Sequence, residues 1–91
     1  MKNKNNKFFV KIDTFNAGQT YTRVSIHQAL SLSEATGDAL SDVFRSDPEN
    51  IELDLTYREL TYLDAKVGEY HRVIETVRLT ESEYETLAKF I

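Results

Sequence analysis

The stretch TYRELTYLDAKVGEYHRVIETVRLTESEYETLAKFI, residues 56–91, decides which fold this chain adopts. Its apolar side chains recur at steps of three and four residues, which is the spacing of one face of an α-helix. These positions are Leu60, Leu63, Val67, Tyr70, Ile74 and Val77. Thr56 and Glu59 have the spacing of a capping box just before this run. The pattern predicts one long helix over residues 57–78.

A pair of strands is the competing interpretation of the same stretch. Gly68 is placed to turn a hairpin. A run of side chains that favour β structure follows it, namely Val73, Ile74, Thr76 and Val77. The strict alternation expected of a half-buried strand fails, however, at Tyr62-Leu63 and at Val73-Ile74. We therefore expect the helix and keep the strand pair as its alternative.

The end of the chain predicts a second helix. Thr80 and Glu83 have capping-box spacing, in which each side chain satisfies a backbone N–H of the first helical turn. Leu79 and Tyr84 occupy the positions of a hydrophobic staple around this cap. Together with the helix over residues 57–78, this segment would make a C-terminal helix pair.

The first residues predict a β-hairpin. Apolar and polar side chains alternate over residues 7–13 and again over residues 21–26, which is the pattern of two half-buried strands. Asn16-Ala17-Gly18 supplies a turn between them. Residues 1–6 form a polar tail that we expect to be disordered, and residues 7–91 form a single domain on length alone.

One short helix and one short strand follow the hairpin. Ser31 and Glu34 have capping-box spacing, and Asp47-Pro48 would end the helix because proline cannot continue its hydrogen bonds. Residues 51–55 alternate as a third strand, which we expect to join the hairpin. The predicted fold class is α+β: a small antiparallel sheet, made of the N-terminal hairpin plus one short strand, packed with one short helix and a C-terminal helix pair.

The composition indicates the cellular compartment of the protein more than its activity. The chain has 91 residues, no cysteine and a net charge of −4. The absence of cysteine fits a reducing compartment. No apolar run approaches the ~18 residues that a membrane span needs. We therefore expect a cytoplasmic protein without a membrane partner.

The residues of catalytic and ligand sites form no recognisable pattern. His27 and His71 stand far apart in the sequence and neither has the spacing of a zinc motif. The three glycines are dispersed, so no glycine-rich loop can hold a phosphate. We therefore expect a protein that is not an enzyme and has no catalytic residues, no metal and no cofactor.

Acidic side chains are concentrated between residues 34 and 54, where Arg45 is the single base. The acidic residues are Glu34, Asp38, Asp42, Asp47, Glu49, Glu52 and Asp54. The first three lie at i, i+4 and i+8 on the predicted short helix, about 6 Å apart along one edge. Like charges at this spacing destabilise an isolated helix slightly. Tyr62 lies outside the helical seam, and exposed tyrosines are favoured at protein interfaces.

Two interpretations of this acidic row remain. The simpler one is a solvated acidic face that keeps the protein soluble. The functional one is a row that imitates a phosphate backbone and occupies the basic groove of a nucleic-acid-acting protein. In general character such a chain resembles small acidic proteins of phages and mobile elements, including anti-CRISPR proteins, although no motif assigns it to a named family. The predicted function is thus an inhibitor that binds a protein partner with a basic surface and does not contact nucleic acid directly.

Two other classes of function compete with this prediction. The seam of the helix over residues 57–78 could pair with a second copy or a partner helix, which would make the chain an assembly protein and a possible homodimer. Basic side chains near the start of the chain could instead bind nucleic acid, although the acidic remainder opposes it. These are Lys2, Lys4, Lys7, Lys11 and Arg23.

Overall fold

Five antiparallel strands and two helices make up the computed structural model, which describes residues 6–91. The strands are β1 (Asn6–Asn16), β2 (Gln19–Ala29), β3 (Ile51–Asp54), β4 (Thr61–Asp64) and β5 (Glu69–Leu79). The helices are α1 (Leu32–Val43) and α2 (Glu81–Ala88), with a 3-10 turn at Pro48–Asn50. All strands form one sheet in the order β2-β1-β5-β4-β3. The predicted α+β class is confirmed, with more strands than expected.

The N-terminal hairpin is longer than predicted. Asn16 pairs with Gln19, so Ala17 and Gly18 form a two-residue loop with φ of 52° and 80°. Positive φ at both central positions is the conformation whose twist matches that of the flanking strands. The predicted turn is confirmed. Of the predicted polar tail, Asn6 begins β1, and residues 1–5 lie outside the described residues.

Helix α1 begins at its predicted cap. The Ser31 hydroxyl accepts a hydrogen bond from the Glu34 N–H at 3.1 Å. The helix ends earlier than expected, because Phe44 already has an extended backbone with ψ of 136°. Pro48 therefore opens the 3-10 turn instead of stopping α1. The cap at Thr80 is confirmed in α2, where both hydrogen bonds of the capping box are formed.

The predicted helix over residues 57–78 is wrong, and its alternative is correct. Residues 61–64 and 69–79 form β4 and β5, which pair as a hairpin with Asp64 opposite Glu69. Gly68 has a φ of 70° and its N–H donates to the Asp64 carbonyl at 2.8 Å, which closes the turn. The C-terminal helix pair is thus a strand pair followed by a single helix.

A β-bulge explains why the alternation in β5 looked broken. Lys11 pairs with Glu75, whereas the next residue of β1, Ile12, pairs with Val73. Ile74 is therefore an extra residue opposite β1, and the side chains change phase at this point. The irregular Val73-Ile74 dipeptide, which favoured the helix, is the sequence mark of this bulge.

Strand β3 does not join the N-terminal hairpin as predicted. It pairs with β4 at the far edge of the sheet, with Leu53 opposite Tyr62. The predicted capping box at Thr56 is also wrong, because both the Thr56 N–H and its hydroxyl donate to the Asp54 carboxylate. This local turn directs the chain from β3 toward β4 instead of starting a helix.

Helix α1 covers one face of the sheet, which we call the α1 face. The core lies between them and contains Phe8, Val10, Ile12, Ala29, Ala35, Ala39 and Leu40. The opposite face, which we call the open face, carries the alternate side chains of each strand. Helix α2 covers only one end of it, where the Gln28 amide donates to the Tyr84 hydroxyl at 3.2 Å. None of the helices in residues 6–91 has the length and apolar character required to span a bilayer.

Gly68→Ala should lower the free energy of unfolding by about 1–2 kcal/mol, because an alanine is strained at positive φ. An added Cβ has no heavy atom within 4 Å there, so the backbone alone causes the loss. Gly37→Ala is the matched control, since Gly37 is helical and equally open. It should gain about 0.5–1 kcal/mol in urea denaturation. Equal effects of both changes would contradict the turn.

Candidate functional site

The predicted acidic row is divided between two sides of the molecule. Asp38 and Asp42 are exposed on α1. Glu34 is half-buried and its carboxylate accepts the Leu30 N–H at 2.9 Å, so part of its charge serves the start of the helix. The structure therefore leaves two of the three α1 acids directed at solvent.

The acids after α1 separate further. Asp47 and Glu49 are exposed around the 3-10 turn. Glu52 and Asp54 alternate with Leu53, which pairs with Tyr62 on the α1 face, so both acids lie on the open face. Hydrogen bonds from Thr56 hold the pKa of Asp54 below its ordinary value. One flat basic surface cannot contact all seven acids at once.

Tyr62 lies in the fold, not on an exposed interface. Its half-buried ring packs edge-to-face on Phe44 with a centroid distance of 5.7 Å. Both rings extend the core beneath α1. Tyr62, which the sequence assigned to partner binding, thus contributes to the packing of β4 against the end of α1.

A buried polar cluster, which the sequence did not reveal, lies at the turn between β4 and β5. It consists of Asp64, Glu69 and His71, whose relative exposures are 0%, 6% and 1%. Asp64 and Glu69 are direct partners across the hairpin, and His71 is next but one along β5 on the same face. Three ionisable side chains so deeply buried require partners that offset their desolvation.

Each carboxylate of the buried polar cluster has one oxygen bound by a neighbouring segment. Glu69 Oε2 accepts hydrogen bonds from Arg45 Nη1 at 2.8 Å and from Asn16 Nδ2 at 2.7 Å. Asp64 Oδ2 accepts the backbone N–H of Arg45 at 3.1 Å. The loop after α1 and the end of β1 therefore hold the two carboxylates in place.

The imidazole of His71 is also fixed on one side. Its Nδ1 shares a hydrogen bond of 2.8 Å with Thr14 Oγ1 on β1. Phe44 covers the ring in an edge contact at 5.5 Å between centroids. The opposite nitrogen, Nε2, lies 3.5 Å from Glu69 Oε1. Strand pairing alone places Thr14 opposite His71, so the central sheet orients this ring.

Two buried atoms of the cluster have no hydrogen-bond partner within residues 6–91. They are Asp64 Oδ1 and His71 Nε2. Most buried polar groups are hydrogen-bonded, so each such atom requires a physical account. Ser46 Oγ is also without a partner of acceptable geometry, although it lies near enough to Asp64 to influence its charge.

The local environment favours an ionised Asp64 and a neutral His71. Burial raises the pKa of Asp64, but the nearby Ser46 hydroxyl, the Arg45 and Val67 N–H groups and the positive charge of His71 when protonated together bring it below its ordinary value. Burial lowers the pKa of His71, and the nearby carboxylates of Glu69 and Asp64 only partly oppose this effect. The cluster thus holds negative charge in a deeply buried site.

A cavity of about 490 Å³ opens onto this cluster. Glu69 and His71 form part of its lining, together with Thr14, Tyr21, Arg23, Asp42, Val43, Phe44 and Arg45. Its volume lies within the range of small-molecule sites, and most of the residues that line it are polar or charged. The cluster is therefore buried on the protein side and accessible on the cavity side.

The sequence contained a signal for the cluster that the helical interpretation hid. Glu69 and His71 are two residues apart, which places them on one face of a strand but on different faces of a helix. With β4 and β5 assigned as strands, Asp64 would have joined them across the turn. Thr14 and Asn16 are too distant in sequence for any local pattern to connect them.

The open face carries an apolar row across three strands. Phe9 pairs with Ile26 on one side and with Val77 on the other. Val24 lies beside Ile26 on the same face of β2. Val24 and Val77 are exposed, with 39% and 38% of their surface accessible. We call these four residues the open-face patch.

Comparison with known proteins identifies no relative. No protein-family model, no curated protein and no solved structure matches the chain. The functional proposals therefore depend on the geometry and chemistry of these residues.

Thr14→Val should lower the free energy of unfolding by about 1–3 kcal/mol, because it leaves a buried imidazole nitrogen without its partner. Thr22→Val is the matched control on the neighbouring strand, where the hydroxyl donates to Asp13 at an exposed site. That change should stay within ~0.5 kcal/mol. Chemical denaturation compares the two, and an equal cost would mean that the Thr14–His71 bond is not structurally important.

Proposed function

We propose that this chain is a cytoplasmic, non-enzymatic protein that binds a basic surface of another protein through the acids of its α1 side. The binding surface consists of Asp38, Asp42, Asp47 and Glu49. Glu34, Glu52, Asp54 and Tyr62, which the sequence had included, are left out because their side chains serve the fold or lie on the other face.

The position of Arg45 is the observation that carries this proposal. It is the single base among residues 34–54, and its guanidinium forms an ion pair with Glu69 at 2.8 Å. No basic side chain of residues 6–91 forms an ion pair with Asp38 or Asp42. No ion pair among these residues therefore neutralises Asp38 or Asp42, and a cationic partner would relieve the repulsion between their charges.

The arrangement suits a partner that normally binds nucleic acid. Asp38 and Asp42 lie about 6 Å apart along the helix axis, on one exposed edge. A regular row of anions is what a nucleic-acid-binding groove is built to receive. Occupying such a groove would inhibit the partner by competition and would require no chemistry. An anti-defence inhibitor of the anti-CRISPR kind is one protein of this description.

Asp38→Lys with Asp42→Lys should weaken partner binding about tenfold or more, because two attractive contacts become repulsive. The wild type would capture its partner from extract of the native host, and titration with the purified partner would follow. Glu75→Lys with Glu85→Lys is the matched control, since it changes the net charge equally at exposed acids outside α1.

The salt dependence separates specific contact from general attraction. Binding that depends on the α1 acids should weaken steeply as salt rises for the wild type and the control, and less so for the α1 variant. Equal losses in both variants, or no loss in the α1 variant, would contradict the proposed surface. A captured partner without basic surface character would contradict the proposed class.

Self-association through the open-face patch is a second candidate function. The predicted helical seam of residues 57–78 does not exist, but the patch offers an apolar surface in its place. Lys11 and Glu75 are neighbours beside it and offer one charge of each sign to a second copy. The specific observation in favour is the exposure of Val24 and Val77 within this apolar row.

Val77→Glu should abolish a dimer formed in this way, because it introduces a charge within the apolar patch. Leu53→Glu is the control, since Leu53 is also exposed, at 50%, but lies on the α1 face. Analytical ultracentrifugation measures the mass of each form. A wild type that remains monomeric at the highest concentration reached would exclude this assembly.

A further inference from the structure

We infer that Asp64, Glu69 and His71 bind a divalent transition-metal ion such as Zn²⁺ or Mn²⁺. The inference is independent of the proposed partner binding, because none of the three residues belongs to the proposed binding surface. It departs from the sequence, in which neither histidine showed a metal spacing. The side chains become a possible ligand set only when β4 and β5 pair.

The three residues present their free atoms to one another. Each residue offers one potential ligand atom, and these atoms lie within 4.8 Å of one another. His71 Nε2 and Glu69 Oε1 are 3.5 Å apart. Neighbouring ligands of a tetrahedral ion with bonds of ~2.0–2.2 Å are separated by about 3.3–3.6 Å. This pair already has the required separation, and the Asp64 ligand atom lies within 4.8 Å of both.

The hydrogen bonds of the cluster are distributed among its atoms as they are in a metal site. In each residue one atom is held by the protein: Glu69 Oε2 by Arg45 and Asn16, Asp64 Oδ2 by the Arg45 N–H, and His71 Nδ1 by Thr14. The other atom of each is left toward the cluster. Metal-binding histidines and carboxylates are commonly oriented by such outer hydrogen bonds.

The two unpartnered atoms point to a ligand independently of this spacing. Asp64 Oδ1 and His71 Nε2 are buried and have no hydrogen-bond partner within residues 6–91. In the tautomer that we infer, His71 Nδ1–H donates to Thr14 Oγ1, so the Nε2 lone pair is free to bind an ion. A cation between these atoms would satisfy both of them and offset a buried carboxylate that no basic side chain of the described residues pairs with.

The donor set decides the kind of ion. One imidazole nitrogen and two carboxylate oxygens suit Zn²⁺ or Mn²⁺ better than Mg²⁺, which prefers oxygen ligands and retains its waters. Three protein ligands leave at least one coordination position. The cavity beside Glu69 and His71 gives a small oxygen ligand or water access to it.

The test titrates the full chain, stripped of metal with a chelator, with Zn²⁺, Mn²⁺ and Mg²⁺ in separate calorimetric experiments. Saturable binding of one Zn²⁺ or Mn²⁺ per chain, with weaker binding of Mg²⁺, is expected. Asp64→Asn and His71→Gln should abolish it. Thr14→Val, which removes only the orienting hydroxyl, should weaken it about 10–100-fold.

His27→Gln is the matched control for binding to an unrelated imidazole. His27 Nε2 already shares a hydrogen bond of 2.7 Å with Ser25 Oγ, and this variant should retain full affinity. Because a variant of a metal-binding residue can fail to fold, metal binding is also measured directly on the wild type. Nitrogen NMR of the histidine rings should show the His71 Nε2 signal shifting on addition of Zn²⁺ while that of His27 does not.

Three results would overturn the inference. The first is no saturable binding of Zn²⁺ or Mn²⁺. The second is binding that survives both Asp64→Asn and His71→Gln, or that His27→Gln removes. The third is a His71 Nε2 signal that remains unchanged at saturation. Any of them would identify the buried polar cluster as a structural network of hydrogen bonds without a metal.

Discussion

The pairing of β1 with β5 is the constraint on which the rest of the structure depends. These two strands of 11 residues lie at the centre of the sheet and join the beginning of the chain to its end. Their alternation decides which side chains form the core beneath α1, including Phe8, Val10 and Ile12. The bulge at Ile74 keeps both ends of the pairing in register, so that Thr76 lies opposite the core residue Val10 and His71 lies opposite Thr14. Such a non-local contact closes a long loop and is favourable only when many contacts form together.

The pairing of β1 with β5 also assembles the buried polar cluster at one end of the sheet. Thr14 and Asn16 at the end of β1 meet Glu69 and His71 at the start of β5, and the loop after α1 adds Arg45. The apolar core and the buried polar cluster are thus two ends of one sheet face. Arg45 links this cluster to the surface, because its largely exposed side chain forms an ion pair with the buried Glu69 carboxylate.

Local signals in the sequence predicted the local structure well. The two-residue loop at Ala17-Gly18 and the caps at Ser31 and Thr80 form as expected, because each depends on residues a few positions apart. The error over residues 57–78 arose where two periodicities compete. A bulge shifts the phase of a strand by one residue and so produces steps of three that resemble a helix. The β-branched side chains of β5 and the positive φ of Gly68 were the better evidence.

The sequence by itself determined the α+β class, the hairpin turn, the helix caps and the concentration of acids between residues 34 and 54. Those features follow from backbone conformational preferences and charge, which a short segment carries with it. Only the tertiary structure decided that the acids divide between two faces and that β3 pairs with β4. It alone also brought Thr14 and Arg45 to Asp64, Glu69 and His71. The physical reason is that strand register and burial depend on which distant segments pair, and no local pattern specifies that choice.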